Sequence, residues 1–347
     1  MSAQTLSLPP HGVLDPATAP PLRWGVISPG SIAEQFTATM HRATASRVVA
    51  VASRSQDRAD AFAAKHGIEA AFAGPEAMLA AGGLDAVYIA SPHAQHHELA
   101  RPVLEAGVPV LVEKAFTLNE SQARDLLDLA QQRGVFAMEA MWARFLPQYG
   151  LLRAVISEGL IGEVIQVEAD HGQAFPEAPA HRLYAPELGG GALLDLGVYP
   201  LSLAQMLLGD LQDPAIRGEL TATGVDAFAG VVARGERGGW AVVSTTLRAR
   251  TANRAVIAGT RGRVVLPSPF YAPGDVEVVL DDGRTASWSH PGDVDDGMAF
   301  EIAEAARCIT AGESQSALMT WKDTLSVMHT MDAVRSALGV TYPGEAH

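Results

Sequence analysis

The sequence predicts an α/β domain with a doubly wound parallel sheet, followed by a second domain with an open, mostly antiparallel β-sheet. Between Arg23 and Ala140, short apolar runs alternate with helix-like stretches, the order typical of parallel sheets that carry helices on both faces. After Trp142, strand-like runs follow one another closely, with turn signals such as Gly238-Gly239 and Asp282-Gly283 between them. Closely spaced strands with tight turns indicate antiparallel pairing.

The first domain is predicted at residues 22–143, after a flexible tail of residues 1–21 that is either free or laid over a neighbour. Its clearest helix is Asn119–Arg133, because Asn119 is a good N-cap, Gln122 occupies the capping-box position and Gly134 favours termination. Other helices are predicted from Ser31 and over Gln56–His66 and Gln95–Ala106, and strands over Arg23–Ser28, Arg47–Ser53, Leu84–Ala90, Val108–Val112 and Val135–Ala140.

The second domain is predicted at residues 144–347. Helical patterns cover Leu146–Ser157, Val198–Leu208, Met298–Ala311 and Trp321–Leu338. Strand patterns cover Ile161–Asp170, Leu220–Val225, Ala227–Ala233, Trp240–Leu247, Arg254–Ala258, Arg263–Leu266 and Val276–Leu280. With so few helices, one face of this sheet is expected to stay uncovered, which predicts a homodimer that buries it.

The composition argues against several classes of function. A formal net charge of −14 disfavours nucleic acid and anionic membranes as partners, because both need a basic surface. We expect neither a signal peptide nor an apolar run long enough to cross a bilayer. The one cysteine, Cys308, excludes an internal disulfide and a thiolate zinc site, and is expected to be buried and inert. These features favour a cytoplasmic protein.

A glycine-containing turn, Ser28-Pro29-Gly30-Ser31-Ile32-Ala33, follows the first predicted strand. It matches the G-x-G-x-x-G/A pattern of Rossmann domains, with Ser28 in place of the first glycine. Gly30 lets the backbone approach a pyrophosphate, Ala33 lets the helix pack on the strand, and the helix N-terminus offers free N–H groups to the phosphates. The turn therefore predicts a dinucleotide site, although Pro-Gly also occurs in ordinary turns.

The end of the second strand indicates which dinucleotide is bound. NAD-binding domains usually carry Asp or Glu there, which accepts a hydrogen bond from the ribose 2′-OH. This chain has Ser53-Arg54 instead, and an arginine suits a 2′-phosphate, so the sequence favours NADP over NAD. Arg58, one turn into the next helix, is either a second phosphate contact or a solvated surface residue.

Two segments carry the candidate catalytic residues. Glu113-Lys114 stands at the carboxyl end of a predicted parallel strand, the edge at which open α/β sheets bind ligands. Gly189-Gly190-Gly191 precedes Asp195 and Tyr199, which share a face if the segment is helical. We expect Lys114 to lower the pKa of Tyr199, so that Tyr199 exchanges a proton with a substrate oxygen during hydride transfer. Asp195 would orient Lys114 or hold a substrate hydroxyl; alternatively, Tyr199 packs and Asp195 caps a helix.

Three histidines follow another predicted strand, in Ser91-Pro92-His93-Ala94-Gln95-His96-His97. A metal needs three or four ligands, and the sequence identifies no partner for these histidines, so no metal site is predicted. Ser91, His93 and His96 are expected to line the cofactor cleft instead.

These segments together resemble the glucose–fructose oxidoreductase and inositol dehydrogenase family over Leu22–Pro343. Glu113-Lys114-Ala115 stands where that family usually has Glu-Lys-Pro, and Gly190–Tyr199 matches its glycine-rich motif. Ser91–His96 matches its Ser/Thr-Pro-x-x-x-His loop. Met138–Pro147, with serine at position 28 and tyrosine at position 199, is similar to the branch of dimeric dihydrodiol dehydrogenase and NADP-dependent aldose dehydrogenases.

The resemblance implies a catalytic pair of Lys114 and Tyr199, NADP as cofactor, and a dimer formed through the open sheet face. It also implies cofactor contacts from Glu113, Lys114, Trp142 and Arg144. Ala115 in place of proline removes a constraint on φ, which is expected to loosen Lys114 and leave the chemistry possible. The predicted function is hydride transfer between NADP and a CH–OH or C=O group of a sugar, diol or related polyol. The alternative is a cofactor-binding sensor without turnover.

Overall fold

The computed structural model describes residues 6–292 and 296–345, which form two compact units. The Rossmann unit contains residues 14–142 and 296–325. The sheet unit contains residues 6–13, 143–292 and 326–345. The chain passes from the Rossmann unit to the sheet unit after residue 142, close to the predicted boundary at residue 143. The assignment of residues 6–13 to the sheet unit and of residues 296–325 to the Rossmann unit was not predicted.

A parallel six-stranded sheet forms the centre of the Rossmann unit, in the order β3-β2-β1-β4-β5-β6. This is the strand order of a doubly wound dinucleotide-binding fold, so the predicted fold class is confirmed. Its strands are β1 (Arg23–Ile27), β2 (Arg47–Ser53), β3 (Ala70–Ala73), β4 (Ala86–Ile89), β5 (Val110–Glu113) and β6 (Ala137–Ala140). Its helices are α1 (Ser31–Ala43), α2 (Gln56–His66), α3 (Pro75–Ala81), α4 (His96–Glu105), α5 (Glu120–Arg133) and α8 (Met298–Thr310).

Local sequence signals account for the boundaries of α5. The side chain of Asn119 accepts a hydrogen bond from the backbone N–H of Gln122 at 2.9 Å, as an N-cap should. Gly134 ends the helix in the left-handed conformation, with φ of 63°. The inward stripe that begins at Ala123 is buried, which confirms the amphipathic pattern.

By contrast, β3 and α3 were not predicted, because β3 is a short, partly exposed edge strand made mostly of alanine.

The sheet unit is built on eight strands in the order β14-β13-β12-β11-β7-β10-β9-β8, of which only β7 and β10 pair in parallel. The strands are β7 (Val164–Gly172), β8 (Leu211–Leu220), β9 (Asp226–Gly235), β10 (Trp240–Thr246), β11 (Ala255–Gly259), β12 (Gly262–Leu266), β13 (Val276–Leu280) and β14 (Thr285–Trp288). The helices are α6 (Pro147–Ser157) and α7 (Val198–Leu208), and α9 (Trp321–Leu338) follows near the end of the chain.

One predicted strand of this sheet was misplaced. Leu220–Val225 was expected to be a strand, but β8 ends at Leu220 and a turn containing Gly224 follows it. The strand itself begins at Leu211 and was missed because it contains Pro214. Proline is tolerated on an edge strand at a bulge, and β8 is an edge strand whose register shifts between Gln212 and Ala215. The short strand β14 at the opposite edge was also missed.

The large sheet has one covered and one open face. In β9, Ala229, Val231 and Ala233 are buried on the face that α7 covers, whereas the alternate Val232 is 41% exposed. The neighbouring Trp240 is 49% exposed. The expected open face of the sheet therefore exists.

A long apolar run precedes and includes α7. Among the described residues, Pro186–Leu208 has a length of 23 residues and a mean hydropathy of 1.4, enough to cross a membrane by length and composition. The expectation that no run is long enough was therefore wrong. Because 89% of an 18-residue stretch of this run is buried inside the protein, the run has the character of a core helix.

The described part of the N-terminal segment makes defined contacts within each unit. In the sheet unit, the carbonyl of His11 lies so close to Gly150 in α6 that a Cβ there would clash with it. In the Rossmann unit, Arg307 of α8 donates hydrogen bonds to the carbonyl of Asp15 at 2.8 Å and to the hydroxyl of Thr18 at 3.1 Å. Flexibility of residues 1–21 stays a prediction, and residues 1–5 lie outside the described residues.

Candidate active site

The turn between β1 and α1 has the geometry of a phosphate-binding loop. Ser28 adopts φ of 70°, the left-handed conformation that the usual glycine provides at this point. Gly30 is the N-cap of α1, and a Cβ built there meets no atom within 4 Å. The space in front of Gly30 is thus open, and the first N–H groups of α1, from Ser31 and Ile32 onward, point out of the helix end. Ala33 is fully buried, as helix packing on β1 requires.

Arginines flank this loop at the end of β2. Arg54 is exposed and makes no hydrogen bond or ion pair with any residue that the structure describes. Ser53 before it is buried. Arg58, in the first turn of α2, donates a hydrogen bond to the carbonyl of Pro29 at 3.0 Å, so it also braces the phosphate loop. These residues fit a dinucleotide that carries a 2′-phosphate, since Arg54 is available and no carboxylate stands at the end of β2.

The segment after β4 fixes His96 in the interior. Its Nδ1 lies 2.9 Å from the carbonyl of Ala115, and its Nε2 lies 2.8 Å from the carbonyl of Ser91. Burial lowers the pKa of His96, with a smaller contribution from the Lys114 charge. His96 therefore connects the Ser91 turn to the segment after Lys114. A role as general base is disfavoured, because both ring nitrogens face backbone oxygens.

The other residues of this turn differ in surroundings. His93 is buried and its ring contacts His96 edge-to-face at 5.7 Å. The hydroxyl of Ser91 is buried without a hydrogen-bond partner among the described residues, as expected of a group that awaits a ligand. His97 points elsewhere and pairs with Asp125 at 2.7 Å. Among residues 6–292 and 296–345, no three His, Cys, Asp or Glu side chains converge to hold a metal ion.

Lys114 directly follows β5, at the carboxyl edge of the parallel sheet. Glu113 before it is buried and accepts a hydrogen bond from the hydroxyl of Tyr88 and one from the backbone N–H of Lys114 at 3.2 Å. The peptide bond between Lys114 and Ala115 is cis, although residue 115 is not proline. The Lys114 side chain is half-buried, as is that of Trp142.

The glycine-rich segment of the sheet unit is held from two sides. Gly191 adopts φ of 116°, and any Cβ there would clash with Oδ1 of Asp226. Asp226 accepts a hydrogen bond from the N–H of Leu193 at 2.7 Å, and the hydroxyl of Tyr342 donates to the carbonyl of Gly190 at 2.5 Å. Burial raises the pKa of Asp226 to about 6. These contacts fix the backbone just before a π-helical turn, Leu193–Gly197.

Asp195 lies in that π-helical turn and is 6% exposed. Its two carboxylate oxygens accept hydrogen bonds from Arg182, at 3.1 and 3.2 Å. Such a bidentate pair holds the carboxylate in one orientation. Arg182 was not predicted, because it lies in an irregular segment with no recognisable motif.

Tyr199 lies in the first turn of α7 and is 8% exposed. Its ring contacts His171 of β7 edge-to-face at 5.3 Å and lies 4.9 Å from the ring of Tyr271. His171 and Tyr271 stack on each other at 4.0 Å. Neither residue was predicted, because their sequence contexts are ordinary and only the fold brings them to Tyr199. The alternative that Tyr199 is a packing residue is consistent with its burial. It does not explain why the aromatic rings around Tyr199 carry polar groups.

Arg144 is bound to α7 of the sheet unit. It is 1% exposed, and its guanidinium donates hydrogen bonds to the hydroxyl of Ser202 at 2.8 Å, to the carbonyl of the same residue at 2.9 Å and to the side chain of Gln205 at 2.6 Å. These bonds attach the start of the sheet unit to α7, the helix that carries Tyr199. A cofactor contact from Arg144 stays a prediction.

Comparisons with known proteins match both parts of the chain. Residues 22–141 match the model of an oxidoreductase family with an NAD-binding Rossmann fold, and residues 149–265 match the GFO/IDH/MocA C-terminal domain. Trans-1,2-dihydrobenzene-1,2-diol dehydrogenase of Xenopus tropicalis is 31% identical over 92% of this chain and 99% of its own length. The chain belongs to the GFO/IDH/MocA oxidoreductase family.

Other members of the GFO/IDH/MocA family are similar over the same span. The NADP(+)-dependent D-xylose 1-dehydrogenase of Hypocrea jecorina is 36% identical over 93% of both chains. A 3-ketoreductase from Actinomadura kijaniata, solved with NADP and TDP-benzene, superposes with a TM-score of 0.81 at 29% identity and covers 91% of this chain and 98% of its own. These relatives are named as dehydrogenases or a reductase, so they give no support to the sensor alternative.

Proposed function

We propose that this protein is an NADP-dependent dehydrogenase that transfers hydride between the nicotinamide and a CH–OH or C=O group of a sugar, diol or related small polyol. The observation that carries the proposal is the open phosphate loop at Gly30 with an unpaired arginine at the end of β2. The similarity to dehydrogenases of a dihydrodiol and of xylose, over more than nine-tenths of the chain, supports the substrate class.

The cofactor would be held by the loop and its neighbours. The N-terminus of α1 and the backbone at Gly30 would bind the pyrophosphate, and Arg54 would bind the 2′-phosphate. We also assign cofactor contacts to Ser28, Ser31, Ser91 and His93, while Arg58 and His96 support the loops that make them. Bound NADP supplies the hydride acceptor and donor.

The proton transfer is assigned to Tyr199. Its phenol would donate a proton to the substrate oxygen in reduction and accept one in oxidation. Lys114 would stabilise the phenolate and donate a hydrogen bond to the reacting oxygen, since an ammonium favours a nearby anion. Asp195, oriented by Arg182, would accept a hydrogen bond from a substrate hydroxyl.

A homodimer through the open sheet face is part of the proposal. That face carries Val232 and Val242, which lie opposite each other on β9 and β10, and the exposed Trp240. Exposed apolar side chains on adjacent strands favour burial against another surface. A second copy of the chain offers the same apolar face to its partner around a twofold axis.

We further propose a cytoplasmic location. Cys308 is half-buried, and burial together with Glu304 raises its pKa to about 12, so the thiol stays protonated and unreactive. One such cysteine suits a reducing compartment. Fractionation of the native cells tests this location.

A substrate panel tests the function. The purified protein is incubated with NADP and a series of aldoses, dihydrodiols and polyols, with and without phosphate or acid groups, and NADPH absorbance is followed. We expect turnover on at least one of these substrates, with NAD a poorer cofactor. Absence of NADPH formation across the panel, and of NADPH consumption with the matching carbonyl compounds, would contradict the proposal.

A further inference from the structure

A cavity of about 410 Å³ lies in the sheet unit, beside the aromatic cluster around Tyr199. Tyr271 lines it, and the same ring stacks on His171 and lies 4.9 Å from Tyr199. The cavity therefore begins one aromatic ring away from the proposed acid/base. Its volume falls within the range of small-molecule sites, about 300–1,000 Å³, and has room for the part of a substrate that does not react.

Asn253 presents a hydrogen-bond donor to this cavity. Asn253 is 4% exposed, and its Oδ1 already accepts from the N–H of Gly172 at 2.8 Å and from Thr251 at 3.3 Å. Its amide NH₂ is thus left for the cavity, since it has no acceptor among the described residues. Gln173 also lines the wall, but its amide NH₂ already lies 3.0 Å from Nε2 of His171 and donates to the Tyr271 hydroxyl at 3.5 Å. Ser268 adds a hydroxyl that can donate. An acceptor-rich ligand matches such a lining.

The cavity also carries a cation without a counter-charge. Arg250 lines it and makes no hydrogen bond or ion pair with any residue in the described part of the chain. Its neighbour Arg248, in contrast, pairs with Glu219 at 2.5 Å. No carboxylate is among the residues that line the cavity. Arg250 is exposed, and in a chain with a formal net charge of −14 an unpaired arginine beside the amide NH₂ of Asn253 is suited to bind an anion.

We propose that this cavity is a subsite for an oxyanion carried by the substrate, a phosphate or a carboxylate, with Arg250 as its ion partner and Asn253 as a neutral donor. The proposal rests on the proposed function, because it places the reacting carbon at Tyr199 and the charged end of the same molecule at Arg250. The substrate class narrows to sugars or polyols that carry a phosphate or acid group. A planar guanidinium suits either group, because both accept two parallel hydrogen bonds.

Binding measurements test the subsite without requiring turnover. The full chain, saturated with NADP so that the nucleotide phosphate sites are filled, is titrated calorimetrically with glucose 6-phosphate, glucuronate and glucose. We expect one or both charged sugars to bind at least about tenfold more tightly than glucose, the effect of one charge-assisted bond. The two charged ligands distinguish a phosphate from a carboxylate site. Equal affinity for all three sugars would overturn the proposal.

Substitution of the arginine then locates the effect. Arg250→Gln should remove most of the preference for the charged sugar and leave the affinity for glucose unchanged. Arg133→Gln, an exposed arginine in α5 with the same change in net charge, is the matched control and should keep the preference. A preference that survives in Arg250→Gln, or is lost equally in Arg133→Gln, refutes the assignment. Failure of the proposed function would give a different result, namely no NADP-dependent turnover by the wild type. The binding measurements would still decide whether the subsite exists.

Discussion

Replacing Gly30 by alanine should separate cofactor binding from folding. A Cβ at position 30 meets no protein atom within 4 Å, and φ of −146° is open to any residue. The methyl group therefore strains nothing in the protein itself. It occupies the space through which the backbone would approach a pyrophosphate.

Gly30→Ala should change the free energy of unfolding little and the affinity for NADP strongly. Alanine is a poorer N-cap than glycine, which costs up to about 1 kcal/mol, but it lowers the entropy of the unfolded chain by a comparable 0.4–1 kcal/mol. The free energy of unfolding should thus stay within about 1 kcal/mol of the wild type. Loss of one charge-assisted hydrogen bond to the pyrophosphate costs about 1.5–3 kcal/mol, so NADP affinity should fall about ten- to a hundredfold.

Fluorescence titration with NADP and urea unfolding measure the two quantities. Gly25→Ala is the matched control, because a Cβ in β1 would lie 2.9 Å from Leu84 and 3.1 Å from Met78 in the core. That variant should lose about 1–3 kcal/mol of stability, while its folded fraction binds NADP normally. If Gly30→Ala bound NADP like the wild type, the loop would not be the pyrophosphate site.

Four further outcomes are expected. Arg54→Ala should erase most of the preference for NADP over NAD, about ten- to a hundredfold, in titrations with both cofactors; a wild type that favours NAD refutes this. In steady-state kinetics, Tyr199→Phe should lower kcat about 10²–10⁴-fold and leave the affinity for NADP unchanged. Lys114→Met should lower kcat at least as much, and the losses in the double variant should not be additive. A near-normal kcat in Tyr199→Phe would contradict the assignment of Tyr199 as the acid/base. The pKa of Asp226 is raised from 3.8 to about 6, so between these pH values the folded state keeps a proton that the unfolded chain loses. The free energy of unfolding should therefore fall by about 3 kcal/mol as the pH rises from 3.8 to about 6. Urea unfolding at several pH values measures this dependence, and Asp226→Asn should remove it. Trp240→Glu should convert the proposed dimer into monomers by light scattering, and a wild-type monomer at micromolar concentration would rule that dimer out.

Features that depend on local sequence were predictable. The cap at Asn119, the strands buried on both faces and the turn at Gly30 each follow from residues within a few positions of one another. The parallel pairing of the first sheet then follows from the alternation of strands and helices. Lys114 could be placed at the edge of that sheet for the same reason, since the carboxyl ends of parallel strands lie on one side.

Features that depend on contacts between distant residues were not predictable. Arg182 orients Asp195 across an irregular segment, and Tyr271 reaches Tyr199 through pairings among strands far apart in sequence. The bonds from Arg144 to Ser202 and Gln205 of α7 likewise join residues far apart in the chain. Edge strands such as β8 escaped because bulges and proline break the alternation that identifies a strand.

The return of residues 296–325 to the Rossmann unit determines when that unit can fold during synthesis. Helix α8 packs on α1 and contributes Ala303 and Ala306 to a buried cluster with Ala19, against which the partly buried Leu22 packs. Trp321 and Thr324 add hydrogen bonds to Ala137 and Glu139 of β6. When residue 142 leaves the ribosome, the nascent chain has all six strands but exposes the surface that α8 will cover. The first domain to be made is therefore completed only after nearly the whole chain has been translated, and an N-terminal fragment ending at residue 143 should be prone to aggregation.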